Sequence, residues 1–276
     1  HKAIRRQRQM CIRDRTLTAP PQDCEAIHMY HTTRGLILRE AKYKESDKIL
    51  TILTAEEGKI TAKARGVART RSKLAAATQL LCFSELTLFG NKGLWTINEA
   101  TTVEQFRALR ADINTLALGS YIAELLEAVS NENVAEPEIL QLGLNALYAL
   151  SNRLCPPKQL KAAFELRLMC LSGYRPELEQ CAGCGKTGMA EARLFPEHGE
   201  LYCPDCRAVG GLHVSEGTLE AMRYIVDADS RRVFSFRLAE PQLSELGEVC
   251  EAYTLYQLDR SFGSLDYYKK LRAQLQ

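Results

Sequence analysis

Long hydrophobic runs are missing from this chain of 276 residues: none approaches the roughly 18 apolar residues that a bilayer span requires, so no membrane partner is expected. The first residues, HKAIRRQRQMCIRDR, have no apolar core of the secretory type. The nucleophile and metalloprotease motifs G-x-S-x-G and H-E-x-x-H are also lacking, which removes the commonest routes to acyl-transfer and metalloprotease chemistry. An excess of either charge is lacking, since 36 Lys and Arg stand against 34 Asp and Glu, a formal +2. Residues 1–28 hold Lys2, Arg5, Arg6, Arg8, Arg13 and Arg15 against Asp14, Asp23 and Glu25, a net of +3, which leaves −1 for the rest. Global charge therefore identifies no partner, and local distribution has to. Residues 1–28 are expected to be a non-native or disordered leader, with Met29 the natural start; a basic arm is the alternative reading.

Cysteine, by contrast, is plentiful. Ten cysteines without a secretory signal point to a reducing, cytoplasmic compartment. Cys82, Cys170 and Cys250 sit among apolar neighbours and read as core residues. Cys181-Ala-Gly-Cys184 and Cys203-Pro-Asp-Cys206 form two C-x₂-C pairs, each able to grip one tetrahedral ion from a tight turn. Four thiolates close the coordination shell, so the expected ion is a structural Zn2+ rather than a catalytic one with an open position. Two look-alikes fail. His198-Gly-Glu200 before Cys203 resembles the zinc-deaminase pattern, but only two residues separate Glu200 from Cys203, and Cys181 and Cys184 would be surplus. Gly185-Lys186-Thr187 resembles the end of a P-loop, yet Gln180 stands where that loop needs glycine. No enzyme activity is expected.

Five segments, 32–40, 47–54, 58–65, 79–89 and 94–103, are rich in Ile, Leu, Thr and Val and separated by turn residues such as Glu57-Gly58 and Gly90-Asn91-Lys92-Gly93. Five short strands in so short a stretch suit a small barrel, the OB-fold first and an SH3-like barrel second. After Val103 the period changes. Leu118, Tyr121, Ile122, Leu125, Leu126 and Val129 recur at helical spacing, and further helices are expected near 140–150, 160–171, 215–226 and 242–260. The expected fold is thus α+β: an OB-fold barrel over 29–104, then an α-helical domain over 105–276 holding the zinc module 181–206.

Within the barrel, Lys59, Lys63, Arg65, Arg69, Arg71 and Lys73 follow one another with no acidic residue between them. A cationic groove on an OB barrel suits single-stranded nucleic acid, with Lys59, Lys63 and Arg65 on a strand and the rest on a flexible loop. Tyr43, Phe89 and Trp95 are the candidates for base stacking.

The run TTRGLILREAKYKESDKILTILTAEEGKITAKARGVARTRSKLAAATQ resembles the N-terminal domain of the RecO family of DNA-repair proteins. LRLMCLSGYRPELEQCAGCGK at 166–186 and GGLHVSEGTLEAMRYI at 210–225 resemble its later part, so the likeness extends in order over about 30–272. The resemblance implies a recombination mediator that binds single- and double-stranded DNA, anneals complementary strands, and associates with RecR and the C-terminal tail of the single-strand binding protein SSB to help load RecA. It implies DNA contacts at Lys59, Lys63, Arg65, Arg69, Arg71 and Lys73, zinc ligands at Cys181, Cys184, Cys203 and Cys206, and a cytoplasmic place at the nucleoid. Lys158, Lys161 and Arg167 are considered as a basic rim for the SSB tail. The alternative is another zinc-ribbon nucleic-acid-binding factor, acting in transcription or on RNA.

Overall fold

The computed structural model of the protein describes residues 29–90, 93–207 and 209–274. The expected leader 1–28, and Asn91-Lys92 of the expected turn, lie outside the described residues. Five strands, β1 (Met29–Tyr43), β2 (Asp47–Thr54), β3 (Gly58–Ala64), β4 (Phe83–Gly90) and β5 (Trp95–Glu104), close into a barrel in the order β1-β2-β3-β5-β4. β1 is long enough to serve two neighbours: residues 29–36 pair antiparallel with β4, and residues 35–43 pair with β2 across a bulge at Ile37/Arg39. β3 closes the ring by pairing in parallel with β5. This is the OB-fold arrangement, and closure leaves no strand edge free.

Strand periodicity decides what fills the barrel. In β3, Ile60, Ala62 and Ala64 are buried while Lys59, Thr61 and Lys63 alternate with them on the outer face. Ile37, Leu50, Ile52, Leu86, Leu88 and Ile97 complete the interior. Leu36, Leu38 and Leu53 point the other way and join the core of the helices that follow. β2 is therefore buried on both faces over Leu50–Thr54, which is why its apolar residues come in adjacent pairs, Ile49-Leu50 and Ile52-Leu53, instead of alternating.

The helical part begins with α1 (Ile113–Val129), where the Asp112 carboxylate caps the helix by accepting from the Asn114 N–H. α2 (Pro137–Ser151) and α3 (Pro157–Leu171) each start on a proline, where the missing N–H costs no helical bond. A four-stranded sheet follows, β6 (Glu177–Cys181), β7 (Glu191–Phe195), β8 (Glu200–Tyr202) and β9 (Leu212–Ser215), in the order β6-β8-β7-β9. Then come α4 (Glu216–Asp227), α5 (Gln242–Leu258) and α6 (Gly263–Ala273).

Three sequence expectations need correcting. Residues 79–82 are turn rather than strand: Leu81 adopts φ 61°, and its N–H donates to the Ile37 carbonyl while Ile37 donates to Cys82. That turn drives Leu81 into the helical core and Cys82 into the barrel, so both apolar side chains are buried without a strand. Residues 65–73 do not form a free loop: the N–H groups of Gly66 and Ala68 bond to Asp47 and Ser46 at the β1–β2 turn. α6 was not anticipated, since its buried stripe amounts to Leu265 and Tyr268 with Leu271 partly buried beside them.

Candidate nucleic-acid interface and metal centre

The connection from β3 to β4 is pinned to the barrel at several points. Gly66 N–H donates to Asp47 Oδ1 at 2.8 Å, and Ala68 N–H donates to the Ser46 carbonyl at 3.0 Å. Val67 is buried, and Leu74 and Ala75 pack on the barrel core. Gly66 sits at φ 64°, a conformation glycine reaches without strain. The connection therefore holds a defined path, and along it Arg65, Arg69, Arg71 and Lys73 all stand exposed. None of these four takes part in an ion pair among the described residues.

Lys59 and Lys63 behave differently. Lys59 Nζ donates to the Glu127 carbonyl in the last turn of α1 at 2.8 Å, a cation at the negative end of a helix. Its backbone is held as well: Lys59 N–H donates to the Asn131 carbonyl, and Lys59 O accepts from Asn133 N–H. Lys63 lies 3.4 Å from the Asp47 carboxylate, with both side chains only 16% exposed, and its Nζ stands 4.8 Å over the Tyr43 ring. The Gly66 N–H, ahead of the Lys63 contact, holds the Asp47 carboxyl below its ordinary range, against the opposing effect of burial. Lys59 and Lys63 are thus engaged in joining parts of the fold.

The same hydrogen bonds to Ser46 and Asp47 bring the β1–β2 turn alongside the basic connection, and with it exposed Lys42, Tyr43 and Lys44. Sequence reasoning missed the two lysines because they lie apart from the acid-free run; the triplet KYK at a strand end was the available signal. Of the three aromatic candidates, Tyr43 remains open at 43% exposure. Trp95 is 8% exposed and fills the barrel core, and Phe89 stacks on Tyr30 at 5.2 Å between ring centroids.

The proposed rim of the SSB site is also occupied internally. Lys161 is buried, with Nζ 2.8 Å from Glu165 and 2.8 Å from Glu251. Glu165 is fully buried and accepts from the Tyr121 hydroxyl at 2.7 Å. Burial works against the Lys161 charge, but Glu165 and Glu251 outweigh it and hold its pKa above the ordinary lysine value. Lys158 pairs with Glu240, and Arg167 donates to the Val226 carbonyl.

In the small sheet, β6 delivers Cys181 and Cys184 from one turn, and the end of β8 delivers Cys203 and Cys206 from another. The sulfur atoms all lie within 4.8 Å of one another, with Cys184 Sγ 3.8 Å from Cys203 Sγ. Each turn is closed by its own backbone: Gly185 N–H donates to the Cys181 carbonyl, and Cys206 and Arg207 N–H to the Cys203 carbonyl. Burial raises the Cys181 thiol, but N–H groups of Cys203, Cys184 and Gly183 outweigh it and bring the pKa down to about 6. Cys206 is pushed up to about 12, chiefly by hydrogen bonds to Cys184, Cys203 and Cys181. Four sulfurs this close would repel one another as thiolates, a repulsion that a cation held between them removes. The donor set fits a soft divalent ion in tetrahedral sulfur coordination. Glu200 and His198, the deaminase look-alikes, lie outside this cluster, and Glu200 accepts from the Tyr202 hydroxyl. Lys186, of the P-loop look-alike, lies 3.7 Å from Asp205.

A closed OB barrel backed by a helical domain, with four cysteines gathered on an inserted sheet, defines a class of protein in which barrel, helices and candidate metal site form successive parts of one chain. The family model described as Recombination protein O N terminal matches residues 29–106, and that described as Recombination protein O C terminal matches residues 110–266. The chain is 37% identical over 244 residues to the DNA repair protein RecO of Acetivibrio thermocellus, covering 88% of this chain and 97% of the relative. It is 35% identical to the RecO protein of Symbiobacterium thermophilum (87% and 96% covered) and 34% identical to one from Dehalococcoides mccartyi (83% and 90% covered). The chain belongs to the RecO family, an assignment that supports a role in DNA repair and recombination.

Proposed function

We propose that this protein is a recombination mediator that binds single- and double-stranded DNA, anneals complementary strands, and acts with RecR at SSB-coated DNA to help load RecA. The observation that carries the reading is a set of exposed cations outside any ion pair among the described residues: Arg65, Arg69, Arg71 and Lys73 on the connection, with Lys42 and Lys44 on the adjoining turn, where Lys44 Nζ stands 5.7 Å over the Tyr43 ring. Cations without carboxylate partners can neutralise phosphates at no cost in broken ion pairs. Tyr43 offers a ring face for stacking, which is tolerant of sequence. Annealing needs no bond chemistry. It needs only that repulsion between two phosphate chains be offset while base edges remain free to pair, and the protein is accordingly read as a non-enzyme.

In this reading the barrel, about 29–104, is the DNA-binding domain, and residues 105–276 form a helical domain whose module 181–206 carries a structural Zn2+ on Cys181, Cys184, Cys203 and Cys206. The metal fixes the knuckles of β6 and β8 and takes no part in annealing. The place of action is the bacterial cytoplasm, at the nucleoid. Fluorescence-monitored annealing of complementary oligonucleotides coated with SSB tests the proposal. The protein should accelerate it without ATP, and the Arg65, Arg69, Arg71 and Lys73 to Ala variant should not. A sequence-specific or RNA-binding factor would give no acceleration, and that result would refute the assignment.

A further inference from the structure

Arginine side chains in this fold divide sharply by what they touch. Arg34, Arg39 and Arg175 pair with carboxylates. Arg107, Arg110, Arg167, Arg193 and Arg223 donate to backbone or amide oxygens. Arg207, Arg260 and Arg272 stand over aromatic rings. The arginines with no such contact among the described residues fall into two groups. One is Arg65, Arg69 and Arg71 on the barrel. The other is Arg153, Arg231, Arg232 and Arg237, all exposed, on the helical domain.

The second group is gathered by the fold. Residues 229–238 lie across α2 and α3: the Asn145 amide donates to the Ser230 carbonyl at 2.9 Å, and the Gln159 amide donates to the carbonyls of Phe234 and Phe236 at 3.1 and 2.7 Å. Leu154 and Cys155, beside Arg153, line the same cleft as Phe236 and Arg237. The sequence keeps acid away from this surface. No Asp or Glu occurs from 139 to 164, and none from 230 to 239. Of the flanking carboxylates, Glu240 pairs with Lys158 and accepts from the Ser244 hydroxyl, and Asp229 accepts from the Arg231 backbone N–H. Tyr148 is exposed on α2, and Tyr224 lies 5.7 Å from the Phe236 ring.

We infer that Arg153, Arg231, Arg232 and Arg237 form a second phosphate-binding surface, which holds another DNA strand while the barrel holds the first. The inference rests on the annealing function proposed above and deepens it: two separate cationic surfaces let one molecule carry two polyanions whose mutual repulsion would otherwise keep them apart. Planar guanidinium groups suit phosphate oxygens, and the exposed Tyr148 ring suits a base. An acidic peptide would also be attracted by charge. The spread of the arginines over the α2–α3 turn and the 230–237 segment, without a carboxylate between them, favours an extended backbone.

The test uses the full chain and two non-complementary oligonucleotides, one carrying a donor dye and one an acceptor. Wild-type protein should bring them together and give energy transfer. Arg153→Ala/Arg231→Ala/Arg232→Ala/Arg237→Ala should bind a single oligonucleotide within about twofold of wild type, lose the energy transfer, and anneal complementary strands at least about tenfold more slowly; the corresponding lysine variants should recover most of both. Neutral substitution of four phosphate contacts should lower the salt slope of second-strand binding by about 3. Unchanged energy transfer in the alanine variant, with single-oligonucleotide binding intact, overturns the second surface and leaves the barrel assignment standing. Loss of binding to an Asp- and Phe-rich peptide, with annealing unchanged, assigns the surface to a protein partner and overturns it too. If wild-type protein binds no oligonucleotide at all, the underlying function fails and the second surface with it.

Discussion

Replacing Arg65, Arg69, Arg71 and Lys73 together with alanine separates free cations from engaged ones. Each phosphate neutralised on a single strand contributes about 0.7 to the slope of log K against log salt. With Lys42 and Lys44 the described barrel surface offers six exposed cations outside ion pairs, so the wild-type slope should be about −4, whereas the variant keeps two and should show about −1.4. Between 50 and 200 mM salt the wild type should therefore lose about 300-fold in affinity and the variant about sevenfold. The two curves should stand far apart at low salt and converge as salt rises. Fluorescence anisotropy with a labelled oligonucleotide measures this directly. Lys59→Ala and Lys63→Ala supply the internal control. Both belong to the same basic run in sequence, but one caps α1 and the other pairs with Asp47, so both variants should keep a slope near −4. Lys59→Ala should instead cost about 0.3–1 kcal/mol of stability, through the lost cation at the helix end. A variant of the four free residues with the wild-type slope, or a large fall in slope for Lys59→Ala alone, would refute the distinction.

Other consequences can be measured alongside. Lys161→Met leaves Glu165 buried without its counterion and should cost about 3–5 kcal/mol in urea unfolding, while adding Glu165→Gln should return part of that loss; additive losses would contradict the pairing. Burial already raises the Glu165 carboxyl, and without Lys161 it rises further. A raised folded-state pKa gives stability that is full below the unfolded value and lost as pH climbs, so the Lys161→Met deficit should widen from acid toward neutral pH. Cys203→Ser should abolish binding of one equivalent of zinc and lower the melting temperature of the helical domain with little change in the barrel's salt slope, and an unaltered melting temperature and zinc content would dismiss the site. Gly58→Ala would place a Cβ 1.8 Å from the Val134 carbonyl oxygen at φ +65°, so it should cost at least about 1–3 kcal/mol, read by thermal denaturation.

Much of this architecture was open to reading from residue order because the deciding interactions are local or periodic. The alternation in β3, the helical stripe from Leu118 to Leu126 and the two C-x₂-C turns each carry their structural signal within a few residues. Where the reading fell short, the deciding contact lies far away in sequence. Leu81 and Cys82 look like strand residues, and only the crossing of β1 at Ile37, with a core on each side, makes a turn the better way to bury both. α6 fully buries only Leu265 and Tyr268, with Leu271 partly buried, packs on α1, and carries too few apolar residues to show a stripe by itself.

Charge is the extreme case of the same rule. Lys59 and Arg69 are equivalent in a composition count and stand in one acid-free run, yet one is consumed by a carbonyl of α1 and the other faces solvent. Lys161 looks like a solvated helix charge from its sequence and is instead buried between two glutamates, one of them 90 positions away. Conversely, Arg153 and Arg237 are unremarkable until residues 229–238 are seen to lie over α2 and α3. The information that distinguishes a structural cation from one available to a phosphate is the position of its nearest oxygen, a long-range property of the fold. A basic run in a sequence thus limits where a polyanion could bind; the pairing of each side chain decides which members of the run, and which residues outside it, remain free to do so.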